Sequence, residues 1–201
     1  EGDIIRTIPY DTTLLQVFGA NTFRELTSVP NRAFLRKSDN YLLLSSVDRI
    51  AVCEYPTGKF LRVIERVSYQ NYATPLVLFD QLFDIEVSGS TAYVLDPYFG
   101  LSLINLDSGN LLSKIPISDY LWDIGIIGDQ LAGCTFYGNM FTMNTDGTEQ
   151  HFYGTTEDIY CNSFLYASEN EFYINTYLPD RVLMKVSLAN DQVVKKNQIG
   201  F

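Results

Sequence analysis

The amino-acid sequence predicts an all-β fold, a β-propeller of four-stranded antiparallel blades, and three observations carry that prediction. Short apolar runs alternate with Gly, Asn and Asp turns along nearly the whole chain. Comparable hairpin points fall at Asp39, Gly89, Asp129 and Asn170, in steps of 50, 40 and 41 residues. The composition favours strands, with 14 Tyr and 13 Phe against 3 Met, and no long window keeps a 3.6-residue apolar period. Four antiparallel strands per unit of about 40 residues is the signature of propeller blades. One such unit has two apolar faces and must stack on neighbours to bury both. A β-sandwich or an up-and-down barrel requires no four-strand period.

Taken in order, the first segment is "EGDIIRTIP", which repeats the layout of the later "DSGNLLSKIP": a Gly turn, an apolar run, then Ile-Pro. Ile4–Ile8 is therefore expected as a stray outer strand, and the chain as part of a larger ring that other residues complete. Residues 11–30 carry no clear period and serve as a connector. The first blade occupies 31–68, with strands "RAFLRK", "YLLLSS", "RIAVCEY" and "KFLRVIERV". An insertion at 69–80 explains the longer first step. The second blade, 81–118, reads "FDIEV", "AYVLD", "LSLINL" and "LLSKIPI", separated by "SGS", "PYFG" and "DSGN". The third, 121–155, reads "WDIGII", "QLAGCTF", "NMFTMN" and "EQHFYG". The fourth, 160–201, reads "CNSFLYA", "EFYINTY", "RVLMKVSL" and "QVVKKNQI". Gly, Asn and Asp at the turns supply the positive φ or the local capping that tight hairpins need.

Bulk properties narrow the function. Hydrophobic residues at 46% and charged residues at 19% provide a sizeable core. A net charge of −10 and a pI near 4.4 repel a phosphate backbone, so nucleic acid is not expected as a partner. No apolar stretch is long enough to cross a bilayer, and no signal-peptide pattern stands at the start. The 3 cysteines, Cys53, Cys134 and Cys161, fall within strand segments without CxxC spacing. They are expected as buried thiols acting as small hydrophobes, with one disulfide or a reactive thiol as the alternative.

Two stretches, "FDIEVSGSTAYVLDPYFGLSLINLDSGNLLSKIPI" and "SDNYLLLSSVDRIAVCEYPTGKFLRVI", resemble the six-bladed β-propeller family of Bacteroides-type gut bacteria. The resemblance covers 31–201 at the level of the blade, and NHL-type propellers write similar blades. It implies a six-bladed ring and a secreted, periplasmic or outer cell-envelope location. The chain departs from the family in holding about four blades and in lacking the lipobox cysteine of lipid-anchored members.

In a propeller the loops joining second to third strands and the connections between blades meet on one face, where ligands bind. The loops contribute Asp48 and Arg49, Tyr98 within 97–99, Tyr137, and Asp180 with Arg181. The connections contribute Tyr69 and Tyr72, then Asp119, Tyr120 and Trp122, then Asp158 and Tyr160. Rings beside carboxylates suit sugar stacking and protein hot spots alike, while the plainer reading packs each ring between blades.

Asp84 and Asp123 hold the same place in "FDI" and "WDI", at the expected channel mouth. They fit either a cation or acid/base pair, or a repeated cap for each blade's own backbone, and repetition favours the cap. His151, the sole histidine, falls on an outer strand, which argues against a Ser-His-Asp triad and against multi-histidine zinc. The leading expectation is a non-enzymatic binding or scaffold module for a protein or glycan, without a cofactor. The alternative is a carbohydrate-active or lactonase-like hydrolase using channel-mouth carboxylates, with calcium.

Overall fold

The structure, a computed structural model, describes residues 32–36, 40–46, 48–65, 67–68, 76–77, 84–96, 100–117, 120–127, 129–137, 139–153, 160–168, 171–178, 183–189 and 192–199. Every regular element among them is a strand. The first blade is β1 (Arg32–Arg36), β2 (Tyr41–Ser45), β3 (Arg49–Glu54) and β4 (Phe60–Glu65). A two-stranded ribbon, β5 (Val67–Ser68) with β6 (Leu76–Val77), follows it. The second blade is β7 (Asp84–Ser88), β8 (Thr91–Asp96), β9 (Gly100–Asn105) and β10 (Leu111–Ile115). The third is β11 (Leu121–Ile127), β12 (Gln130–Thr135), β13 (Met140–Asn144) and β14 (His151–Tyr153). The fourth is β15 (Tyr160–Ser168), β16 (Glu171–Leu178), β17 (Leu183–Ala189) and β18 (Gln192–Ile199). Within each four-stranded sheet the strands lie in sequence order and pair antiparallel. Their first strands adjoin in succession: β1 with β7, β7 with β11, and β11 with β15.

The repeat is legible at single hydrogen bonds. In three blades a glycine between third and fourth strands donates its N–H back to the end of the third strand: Gly58 to Glu54, Gly109 to Asn105, Gly147 to Asn144, each at 2.8 Å. Their φ angles are 74°, 74° and 87°, in the left-handed region that costs glycine least. Six residues after each glycine stands a buried anchor, Ile64, Ile115 and Tyr153 respectively. At the first hairpin of the first blade the left-handed residue is Asn40, φ 58°, one position after the expected Asp39. Asn tolerates that conformation because its side chain bonds the local backbone.

The outer strands of the first two blades share an irregularity. Register slips at Leu61 in β4 and at Leu112 in β10, so each is a bulge residue, and each is exposed. Bulges twist an outer strand and blunt it as a template for another chain.

The core lies between blades. Leu43, Ile50, Val52 and Ile64 of the first blade pack on Ile85, Ala92, Val94, Ile104 and Leu106 of the second. The opposite face of the second blade, Tyr93, Leu95, Leu101, Leu103 and Ile115, packs on Leu121, Ile124, Leu131, Phe141 and Met143 of the third. Alternate residues of "AYVL" thus serve opposite interfaces, which is why the run is apolar throughout rather than every second residue. Polar clips span the same seams. Arg62 of β4 donates to the carbonyls of Leu106 and Asp107 in the second blade. The Tyr93 hydroxyl bonds the side chain of Thr145, and burial pushes its pKa up.

The sequence runs the outer strand of the first blade to residue 67 and reads 69–80 as a plain insertion. In the structure β4 ends at Glu65, and the pairing of Val67 with Val77 and Ser68 with Leu76 closes the insertion into a ribbon.

Candidate functional site

Strand direction places two kinds of connection at one end of the blades: the turn from second to third strand, and the link into the next blade. In the third blade they converge on a cluster of four aromatic rings. Tyr120 precedes β11, Trp122 is its second residue, and Phe136 and Tyr137 form the turn after β12. The Phe136 N–H donates to the Tyr120 carbonyl at 2.8 Å and fixes one segment against the other. Register slips between Leu121 and Asp123, which makes Trp122 a bulge residue. A bulge re-aims a side chain, and the indole lies 5.2 Å from the Phe136 ring centroid. Tyr120 meets Phe136 edge-on at 6.0 Å, and Tyr137 meets it edge-on at 5.5 Å. The turn is held by Thr135, whose hydroxyl oxygen accepts from the Asn139 N–H and whose own N–H donates to the Asn139 carbonyl.

Phe136 is thus the hub, and the sequence alone assigns it to the strand "QLAGCTF" rather than to the site. Tyr120, Trp122 and Phe136 are half-buried, while Tyr137 stands 63% exposed. An edge-to-face stack leaves an outer tyrosine stiff, with an apolar ring and a wet hydroxyl.

Asp84 and Asp123 are both buried. One Asp84 oxygen accepts from the N–H of Ile85 at 2.9 Å. The other accepts from the N–H of Ile124, in the next blade, at 3.2 Å. Asp123 accepts from that same N–H at 3.1 Å. One amide is therefore shared by carboxylates from two blades, an arrangement that fastens neighbouring first strands together. Among the described residues no group of three or more His, Cys, Asp or Glu side chains converges to hold a metal ion. Asp84→Ala is expected to cost about 1–3 kcal/mol, the range for leaving buried donors short of an acceptor. Urea denaturation measures it, and a change below about 0.5 kcal/mol would remove Asp84 from the inter-blade seam.

Against known proteins, no family model matches the chain, and no curated protein does. Solved structures match at fold level. The beta-propeller domain of Myceliophteria thermophila Cps50 (Swd1) aligns with TM-score 0.60 and 11% identity, over 84% of this chain and 55% of that one. The computationally designed Ika4 protein aligns with TM-score 0.54 and 8% identity, over 75% of this chain and 86% of that one. The designed Ika8 protein aligns with TM-score 0.56 and 10% identity, over 80% of this chain and 46% of that one. Four successive antiparallel four-stranded sheets with adjoining first strands now have solved counterparts.

The fold is a β-propeller. This chain spans about half the length of the Cps50 domain and of Ika8, and most of Ika4.

On the same end of the propeller, in the first blade, Arg49 grips Asp48 through two nitrogens, Nε at 2.9 Å and Nη2 at 2.5 Å. The Ser46 hydroxyl adds a third bond to Asp48. The Arg49 hydrogen bonds hold the Asp48 carboxyl below its ordinary pKa. Tyr69, Tyr72, Tyr98, Asp119, Asp158, Asp180 and Arg181 lie outside the described residues, and of Tyr160 only the backbone, in β15, is described. Of the expected site residues the structure brings together Tyr120, Trp122 and Tyr137 in one cluster, and Asp84 with Asp123 in another.

The cysteines require one correction. Cys53 is a buried thiol, as expected, but Cys134, also buried, is disulfide-bonded. Spacing alone hid it, because no CxxC pattern marks Cys134.

Proposed function

We propose that this propeller is a non-enzymatic binding or scaffold module that holds a partner protein on the aromatic end of its third blade. The observation that carries the reading is Tyr137, 63% exposed and braced edge-on by Phe136. Rigid aromatic rings bring large contact area at low entropic cost, and Tyr and Trp dominate interface hot spots. The propeller fold itself is consistent with a binding or scaffold role. Asp84 and Asp123 lend little to a hydrolase, since their oxygens already accept backbone N–H groups.

Membership in the six-bladed Bacteroides-type family rests on the blade wording at 38–64 and 83–117. A secreted or cell-envelope location follows from that membership and is supported by the disulfide at Cys134, since such bonds persist in oxidising compartments.

The test compares immobilised wild-type chain with Tyr137→Ala, using envelope extract and, separately, an array of soluble glycans. The substitution should leave stability within about 0.5 kcal/mol, because the ring is mostly solvated. Binding to the captured protein should weaken by roughly 30-fold or more, the loss of one hot spot. Retention of glycans alone would replace the protein partner, and equal capture by the variant would remove this surface from the function.

A further inference from the structure

We infer that the disulfide partner of Cys134 is Cys161, so that a covalent bridge clips the fourth blade to the third at the base of the aromatic turn. The count is decisive first. The chain has 3 cysteines, Cys134 is bonded, and Cys53, in β3 of the first blade, is a thiol with 0% exposure. The backbone agrees. Cys134 lies near the end of β12, opposite Asp123 of β11, and β15, whose second residue is Cys161, packs against both strands. The register of β15 on β16 slips on either side of Cys161, so the backbone there departs from a regular ladder.

The bridge has two consequences. Blades of a propeller hold one another only through nearest-neighbour interfaces, so a covalent link across one seam removes the open states of that seam. The link also encloses residues 135–160, and Phe136 and Tyr137 sit at its first turn, two and three positions beyond Cys134. The clip therefore fixes the footing of the aromatic cluster. It stands independently of whether that cluster binds a partner.

The test is peptide mapping without reduction. The chain, equilibrated in a mixture of oxidised and reduced glutathione, is denatured, alkylated and cut with a glutamate-specific protease. Trypsin would not serve, because no Lys or Arg lies between Lys114 and Arg181, whereas Glu149 and Glu157 separate the two cysteines. The expected result is a Cys134 peptide joined to a Cys161 peptide, parting on reduction, with Cys53 alone alkylated. Alkylated Cys161, or a bridge involving Cys53, would overturn the assignment. Hydrogen exchange tests the clip itself: Cys161→Ser should speed exchange in β15–β18 and spare β7–β10. Unchanged exchange in the fourth blade would leave the bridge without that role.

Discussion

Gly100→Ala should cost about 3–5 kcal/mol, a large fraction of the roughly 5–15 kcal/mol that holds an ordinary domain folded. Gly100 opens β9 with φ 91°, where an L side chain is strained by roughly 1–2 kcal/mol. Crowding by its neighbours costs more. An added Cβ would overlap the Ile115 carbonyl oxygen and stand 2.7 Å from the Ile117 nitrogen, both backbone atoms that cannot rotate away. Relief requires β9 and β10 to part where Leu101 and Ile115 face each other across the ladder, at a packed seam. Gly89→Ala separates strain from crowding. Gly89 also has positive φ, 56°, but nothing lies within 4 Å of an added Cβ. Its cost should stay near 1 kcal/mol, from backbone strain alone. Urea denaturation of both variants decides the matter, and equal losses would show that the crowding at Gly100 is relieved without cost.

Phe141→Ala should lose stability by a different route, the opening of a cavity. Phe141 is among the largest fully buried side chains, 1% exposed, in the seam between the second and third blades. It sits across the ladder from Gly133 on one side and Phe152 on the other, and its ring fills the space a Cβ at Gly133 would occupy, 2.7 Å away. Truncating such a ring typically costs about 3–5 kcal/mol. The loss should also be local in character. Because the seam joins only neighbours, weakening it should uncouple the third blade from the second before the first blade opens. Hydrogen exchange would then rise in β8, β9 and β11–β13 while β2–β4 keep their protection. Uniform loss across all blades would mean that the propeller opens as one cooperative unit.

These residues also mark how much of the fold is legible in the sequence. The strands of the first three blades fall where the apolar runs and turn residues place them, within one or two residues at most ends. That legibility is local chemistry: a two-residue side-chain period, and Gly58, Gly109 and Gly147 each meeting the same demand for positive φ. The candidate surface was half legible. Tyr120, Trp122 and Tyr137 could be placed on one end because strand direction fixes which connections meet there. Their hub, Phe136, could not, since a turn aromatic that follows an apolar strand reads as one more strand residue.

The amino-acid sequence by itself determined an all-β chain of repeated four-stranded units, because strand period and hairpin chemistry act between residues close along the chain. Only the tertiary structure decided that Asp84 reaches the N–H of Ile124, 40 positions on, that Arg62 reaches across to the turn at Leu106, and that Cys134 is bonded. Each depends on how one blade stacks on the next. That stacking is driven by non-directional apolar burial, and it brings together polar partners that no local pattern pairs.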